Sequence, residues 1–158
     1  MAIDLIIVNF YPFEKTLAKT KKHNKIIDNI DIGGPTMVRA AAKNYNDVVV
    51  ITKIDQYEEL IAQLKINKGG TNIDFRQKLS EEAFLETASY DAIISNYINK
   101  KNHNLFPKKK LYYGNLIDIL RYGENPHQSA AIYSKESSLN IKQLNGKQLS
   151  YNNYNDIF

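Results

Sequence analysis

The sequence predicts an α/β protein built on a parallel sheet. Two apolar runs, residues 3–9 and 47–52, do not alternate with polar residues, so each is typical of a strand buried on both faces. Between them, residues 35–45 are predicted to form a helix, because a pair of glycines precedes them and Pro35 suits a first helical turn. Strand, helix and strand together form a right-handed βαβ unit.

Further elements follow the second strand. A helix is predicted over residues 56–66, which carry one apolar stripe. A long helical region is predicted over residues 71–97, as one helix or as two end to end, with Thr71 and Asp74 forming a variant of the capping box. A short strand is predicted over residues 130–133.

Residues 99–110 differ in composition from the chain before them, because they are mainly polar and basic and contain a proline. Such a stretch predicts a linker between domains, here residues 1–98 and residues 111–158. The lysines of this stretch favour a solvated connector over a nucleic-acid patch, since no aromatic residues are interleaved in a basic stripe.

Composition narrows the classes of function. The chain has 158 residues, 43% of them apolar, and no cysteine, which predicts a folded protein of a reducing compartment, the cytoplasm. Its three histidines are far apart, so no metal site is expected. No apolar run approaches the roughly 20 residues of a membrane span. The net charge of +4 suits anionic small molecules as well as nucleic acid.

The first candidate site follows the first predicted strand. Asn9 offers an amide and Tyr11 a phenol at the carboxyl end of that strand, where open α/β sheets bind their ligands. The alternative is a plain strand-to-loop turn in which the neighbouring aromatic residues only pack.

The second candidate site is the start of the predicted helix. Gly33 and Gly34 would let a ligand approach the backbone, and the free N–H groups there attract anions. Asp31 beside that positive end could hold a donor or take a proton. The alternative is that Asp31 only caps the helix and the glycines only form a turn.

Lys43 lies on the polar stripe of the same helix, about 12 Å along the axis from Pro35. Its side chain leans toward the N-terminus and could reach a ligand above the glycines. A desolvated lysine can act as a general acid or base. The alternative is a solvated lysine on a helix face.

The fourth candidate site is a string from Arg121 to His127. Arg121 could grip a phosphate through two parallel hydrogen bonds. Gly123 and Pro126 would shape a tight loop that exposes His127.

These strings, in this order, resemble the bifunctional enzyme family with aminoimidazole-carboxamide ribonucleotide (AICAR) formyltransferase and IMP cyclohydrolase activities. The resemblance covers nearly the whole chain, and its most specific strings are Asp-Ile-Gly-Gly-Pro-Thr and Arg-Tyr-Gly-Glu-Asn-Pro-His-Gln. The matching segments are 4–13, 31–36, 39–44, 87–91, 120–128 and 144–153.

The resemblance implies a fold for each part of the chain. Residues 1–98 would be the later part of a methylglyoxal-synthase-like parallel-sheet domain, the cyclohydrolase. Residues 111–158 would open a formyltransferase domain similar to cytidine deaminase. The family would act in the last two steps to IMP, as a homodimer, on AICAR, its formylated form FAICAR and IMP. Its cosubstrate would be 10-formyltetrahydrofolate, with no bound cofactor or metal.

The resemblance also implies roles for residues. Lys43, Asp31 and Tyr11 would take part in ring closure, with Lys43 as the proton carrier. The residues that would line the IMP site are Val8, Asn9, Asp31 and Ile32. Arg121 and Tyr122 would bind the aminoimidazole nucleotide of the other site.

The sequence departs from the family pattern in several places. The family's upstream phosphate loop and Lys-Thr-Leu-His-Pro segment, its downstream Lys-His pair and its folate site have no counterpart, and Tyr154 stands where the family has isoleucine. We therefore expect an internal or truncated piece that is inactive alone and prone to self-association. The alternatives are a non-catalytic remnant, a phosphate-binding module, or one piece of a split enzyme.

Overall fold

The computed structural model describes residues 2–136, 138–139 and 141–157. It divides into two compact units, Met1–Lys110 and Leu111–Phe158. None of the helices in these described ranges is long and apolar enough to cross a membrane.

The first unit contains the predicted parallel strand pair. Strand β1 (Leu5–Ile7) pairs in parallel with β2 (Val49–Ile51), and Leu5 lies opposite Val49. The prediction of an α/β fold with a small parallel sheet is confirmed.

The two strands differ in burial. All residues of β2 are buried, as predicted, whereas Leu5 and Ile7 of β1 are 38% and 48% exposed. The expectation that both strands are buried on both faces is therefore wrong for β1. Successive side chains of a strand point to opposite faces, so Ile6 and Val8 pack on the core while Leu5 and Ile7 face away from it.

Three helices connect the strands. They are α1 (Phe13–Lys19), α2 (His23–Ile27) and α3 (Gly33–Lys43). Helices α1 and α2 were not predicted, because five to seven residues are too few for a helical period to show. Helix α3 begins two residues before Pro35 and ends at Lys43 rather than at residue 45.

Two helices follow β2. Helix α4 (Tyr57–Ile66) extends a short 3₁₀ turn over Ile54–Gln56, and α5 (Ile73–Lys101) is a single helix of 29 residues. The predicted cap at Thr71 is wrong, since the Phe75 N–H donates to Asn72 Oδ1 at 2.8 Å.

Helix α5 also runs further than predicted. It continues past residue 97 to Lys101, so the first residues of the predicted 99–110 linker are helical. Two lysines in its last turn suit the negative end of the helix dipole, which favours this extension.

The core of the first unit lies where α3 and α5 pack against β2. A smaller cluster of Phe13, Ile26 and Tyr90 joins α1 and α2 to the middle of α5. The main core consists of Val38, Ala41, Ala42, Val48, Val49, Val50, Ile51, Leu60, Phe75, Leu79 and Ala83.

The second unit is a strand pair with one helix. Strand β3 (Asn115–Ile119) pairs antiparallel with β4 (Ala131–Ser134), and α6 spans Tyr151–Ile157. The predicted strand at 130–133 is thus present one residue further on. Its partner β3 was missed, because its pattern of apolar and polar residues was weak.

Shortening a buried side chain of α5 should destabilise the first unit. Leu79 is 1% exposed and Leu85, on the same helix, is 61% exposed. We expect Leu79→Ala to lower the free energy of unfolding by about 2–5 kcal/mol, because it leaves a cavity. The same change at Leu85 should cost within about 0.5 kcal/mol. Urea unfolding followed by circular dichroism measures both, and equal losses would contradict this packing.

Candidate functional site

The carboxylate of Asp31 joins two segments that are distant in sequence. Its Oδ2 accepts the Tyr11 N–H at 3.2 Å, and its Oδ1 accepts the Gly34 N–H at 2.8 Å. Tyr11 lies in the loop after β1, and Gly34 lies in the first turn of α3. The partly buried Asp31 therefore fixes the start of α3 against that loop.

Asn9 lies at the same end of the sheet. Its Nδ2 donates to the main-chain oxygen of Thr52 at 2.9 Å, and these two residues follow β1 and β2 respectively. The structure thus brings Asn9, Tyr11 and Asp31 to the carboxyl end of the parallel strands. The Tyr11 side chain is 56% exposed, and Val8 is partly buried against the core.

The two glycines at the start of α3 have different surroundings. A Cβ atom on Gly34 would lie 2.5 Å from Asp31 Oδ2, whereas one on Gly33 would meet nothing within 4 Å. Glycine at position 34 is therefore explained by the Asp31 carboxylate rather than by the approach of a ligand. Of the two glycines only Gly33 offers an open surface, next to Ile32, which is 73% exposed.

Lys43 is the last residue of α3, at the opposite end from Gly33 and about 15 Å along the axis. Its side chain is exposed and makes no hydrogen bond or ion pair with the described part of the chain. The structure therefore does not bring Lys43 to the Asp31 carboxylate. Thr36, Ala40 and Lys43 instead share one exposed face of the helix.

Tyr90 contacts the site but was not singled out from the sequence. Its hydroxyl accepts the Asp31 N–H at 2.9 Å and donates to the Asn29 oxygen at 3.4 Å. Burial, which outweighs the opposing hydrogen bond from Asp31, raises the pKa of this phenol above the usual tyrosine value. The sequence did contain a signal for Tyr90, because the residue lies in segment 87–91, which matches the family. The helical spacing of the apolar residues around it, however, indicated only packing.

In the second unit, Arg121 lies against its neighbour. The guanidinium carbon is 4.8 Å from the centre of the Tyr122 ring, and Nη2 donates to the Tyr122 hydroxyl at 3.1 Å. A hydrogen bond with Ser150, and then the Arg121 contact, lowers the pKa of the Tyr122 phenol.

Gln128 organises the loop that follows. Its main-chain oxygen accepts the Gly123 N–H at 2.7 Å, and its side-chain oxygen accepts the Asn125 N–H at 2.8 Å. A Cβ on Gly123 would lie 2.8 Å from Gln128 Cβ, so glycine is required there. His127 is exposed at the tip of this loop.

The string around Arg121 pairs with the string near the end of the described chain. Arg121 N–H donates to the Leu149 oxygen at 3.0 Å, and Tyr151 N–H donates to the Tyr122 oxygen at 3.1 Å. This contact was not predicted, because nothing in the sequence of either string specifies its partner.

The two hydrogen bonds by which the Asp31 carboxylate joins the loop after β1 to the start of α3 are called the Asp31 junction below. Alanine at position 34 should disturb this junction, whereas alanine at position 33 should not. We expect Gly34→Ala to destabilise the chain by about 1–3 kcal/mol, because the displaced carboxylate leaves N–H groups without acceptors. Gly33→Ala, one residue away in the same helical turn, should be neutral or stabilising by up to about 1 kcal/mol. Thermal and urea unfolding measure both, and a Gly34→Ala variant as stable as Gly33→Ala would be evidence against the junction.

The chain is similar to curated proteins named "Bifunctional purine biosynthesis protein PurH". It is 47% identical over 158 residues to the one from Bradyrhizobium diazoefficiens and 46% identical over 159 residues to that from Dinoroseobacter shibae. In both cases 98% of this chain is covered. The chain spans 30% of the length of each of these relatives.

A solved structure and a family model extend the comparison. The crystal structure of ForH matches with a TM-score of 0.51 and 28% identity, over 59% of this chain and 48% of that one. The model of the AICARFT/IMPCHase bienzyme family matches residues 41–158. With these matches, the chain belongs to the AICARFT/IMPCHase bienzyme family.

Proposed function

We propose that the first unit supplies one wall of a site that closes the ring of FAICAR to give IMP. The observation that carries this proposal is the Asp31 junction at the carboxyl end of the parallel strands, the end at which open α/β sheets bind ligands. Asn9 and the Tyr11 side chain lie beside the junction. The nucleotide would be lined by Val8, Asn9, Ile32 and Gly33.

Ring closure requires proton transfers at two places. The carboxamide nitrogen forms a bond to the formyl carbon and gives up one proton, the formamide nitrogen gives up a second, and the formyl oxygen takes both protons and leaves as water. A carboxylate, a phenol and an ammonium can carry these protons without a metal. We assign these roles to Asp31, Tyr11 and Lys43, with Lys43 as the main proton carrier.

The position of Lys43 limits how the substrate binds. Because Lys43 and Asp31 lie at opposite ends of α3, a substrate touching both would lie along the exposed face defined by Thr36, Ala40 and Lys43. It would not sit end-on at the helix start. Such a substrate would cover Lys43 and remove it from water, as an acid–base role requires.

We propose that the second unit contributes to the nucleotide site for formyl transfer from 10-formyltetrahydrofolate to AICAR. Arg121 and Tyr122 would bind that nucleotide, with His127 exposed nearby. Residues 1–98 would then be the later part of a methylglyoxal-synthase-like domain, and residues 99–110 would connect them to a cytidine-deaminase-like domain that begins at residue 111.

A simple phosphate-binding module is less well supported. Anions bind at helix N-termini through free N–H groups. The Gly34 N–H is already bonded to Asp31, and an anion there would face the carboxylate. A non-catalytic remnant and one piece of a split enzyme predict, like the main proposal, little turnover by this chain alone.

The chain should bind IMP at the surface around the Asp31 junction but should turn over FAICAR only at a trace rate. Positioning the reacting groups is worth several kcal/mol of barrier, and an open wall with an exposed Lys43 provides little of it. We expect Asp31→Asn to weaken IMP binding about tenfold or more, equivalent to about 1.4 kcal/mol. Asp28→Asn, an exposed carboxylate nearby, is the matched control.

Nuclear magnetic resonance titration with IMP and a spectrophotometric FAICAR assay provide the measurements. Shifts at Asn9, Tyr11 and Gly33 are expected. Absence of IMP binding would refute the proposed site. Steady turnover that Lys43→Ala abolishes would instead show that this chain carries a complete site.

We also propose that β1 mediates self-association. Its outer edge has no strand partner among the described residues, and Ile3 and Ile7 are 64% and 48% exposed. Exposed apolar edges pair with other strands unless a charge blocks them. Sedimentation velocity should show that Ile7→Lys reduces self-association, whereas Ile66→Lys, 77% exposed on α4, leaves it unchanged. A wild-type chain that stays monomeric at every concentration would contradict this.

A further inference from the structure

Tyr90 has a hydroxyl bonded into the site, although the proposed chemistry does not use it. The residue is 7% exposed and lies near the middle of α5. Its ring packs against Phe10 and Phe13, with ring centres 5.2 Å and 6.2 Å away. A rigid helix and two aromatic neighbours thus fix the position of its hydroxyl.

The hydroxyl contacts the main chain immediately before α3. It accepts the Asp31 N–H at 2.9 Å and lies 3.4 Å from the Asn29 oxygen, to which it donates. Tyr90 therefore holds the backbone of Asp31, while the side chain of Asp31 holds Tyr11 and Gly34.

The position of the carboxylate depends on this backbone anchor. An aspartate side chain is short, so its oxygens can reach both the Tyr11 and Gly34 N–H groups from only a narrow range of main-chain positions. The close approach to Gly34 leaves little room for adjustment on that side. Loss of the anchor would let the 29–31 segment move and would loosen both bonds.

We propose that Tyr90 is the positioning residue of the site and sets the Asp31 carboxylate in place for the nucleotide. This inference rests on the proposed function for its consequence in binding. Its structural part, the anchoring of Asp31 through the Tyr90 hydroxyl, stands without it.

Tyr90→Phe in the full chain tests the proposal, because phenylalanine keeps the ring and removes only the hydroxyl. Tyr97→Phe is the matched control. Tyr97 lies on the same helix and packs in the same aromatic cluster, but its hydroxyl is bonded to His23 Nδ1 at 2.8 Å rather than to Asp31.

Amide hydrogen exchange is the first measurement. Tyr90→Phe should speed exchange at Asp31, Tyr11 and Gly34 by roughly fivefold to tenfold, the size expected for one hydrogen bond. Amides of the β2 core should be unaffected, and Tyr97→Phe should leave all three site amides as in the wild type. Uniformly faster exchange across the unit, or no change at Asp31, would overturn the proposal.

IMP affinity is the second measurement. Tyr90→Phe should weaken IMP binding, and the double variant Asp31→Asn with Tyr90→Phe should bind no more weakly than Asp31→Asn alone. Additive losses would mean that Tyr90 does not act through Asp31. If the wild-type chain does not bind IMP at all, the proposed function fails, while the exchange measurements still decide the role of Tyr90.

Discussion

The hydrogen bonds of the Asp31 carboxylate are the constraint on which the first unit's site depends. One bond holds the loop after β1, and the other holds the first turn of α3. Hydrogen bonds to a charged acceptor contribute about 1.5–3 kcal/mol each, more than neutral ones. The same carboxylate explains why position 34 is glycine, since any larger side chain would displace it. The structural role of Asp31 is compatible with the chemical role proposed for it, because a carboxylate that holds the start of a helix can also contact a substrate.

In the second unit, too, one polar side chain fixes the shape of a loop. Gln128 supplies main-chain and side-chain acceptors to the loop from Gly123 to Asn125, as Asp31 does for the start of α3. In both places a glycine lies where a Cβ would collide with the organising side chain. In each place a few specific hydrogen bonds from one side chain fix the shape of a polar loop at the surface.

The exposed residues proposed for the site differ from Asp31, because hydrogen bonds within the described part of the chain do not fix their side chains. Tyr11 in the loop after β1, and Gly33 and Lys43 at the two ends of α3, are all exposed. Groups of this kind are available to a ligand, and their final arrangement depends on what covers them. Arg121 differs, because its contact with the Tyr122 ring and hydroxyl would have to change or extend for it to grip a nucleotide.

The sequence by itself determined the family, the parallel strand pair and the helix that carries Lys43, because these depend on local strings and periodicity. The family resemblance also implied that Asn9, Tyr11 and Asp31 belong to one site. Only the tertiary structure decided that β1 is half exposed and that Lys43 lies far from Asp31. It also decided that Tyr90, on a helix far along the sequence, contacts Asp31. These are matters of which elements meet in space, and a contact across 59 residues leaves no local pattern in the chain.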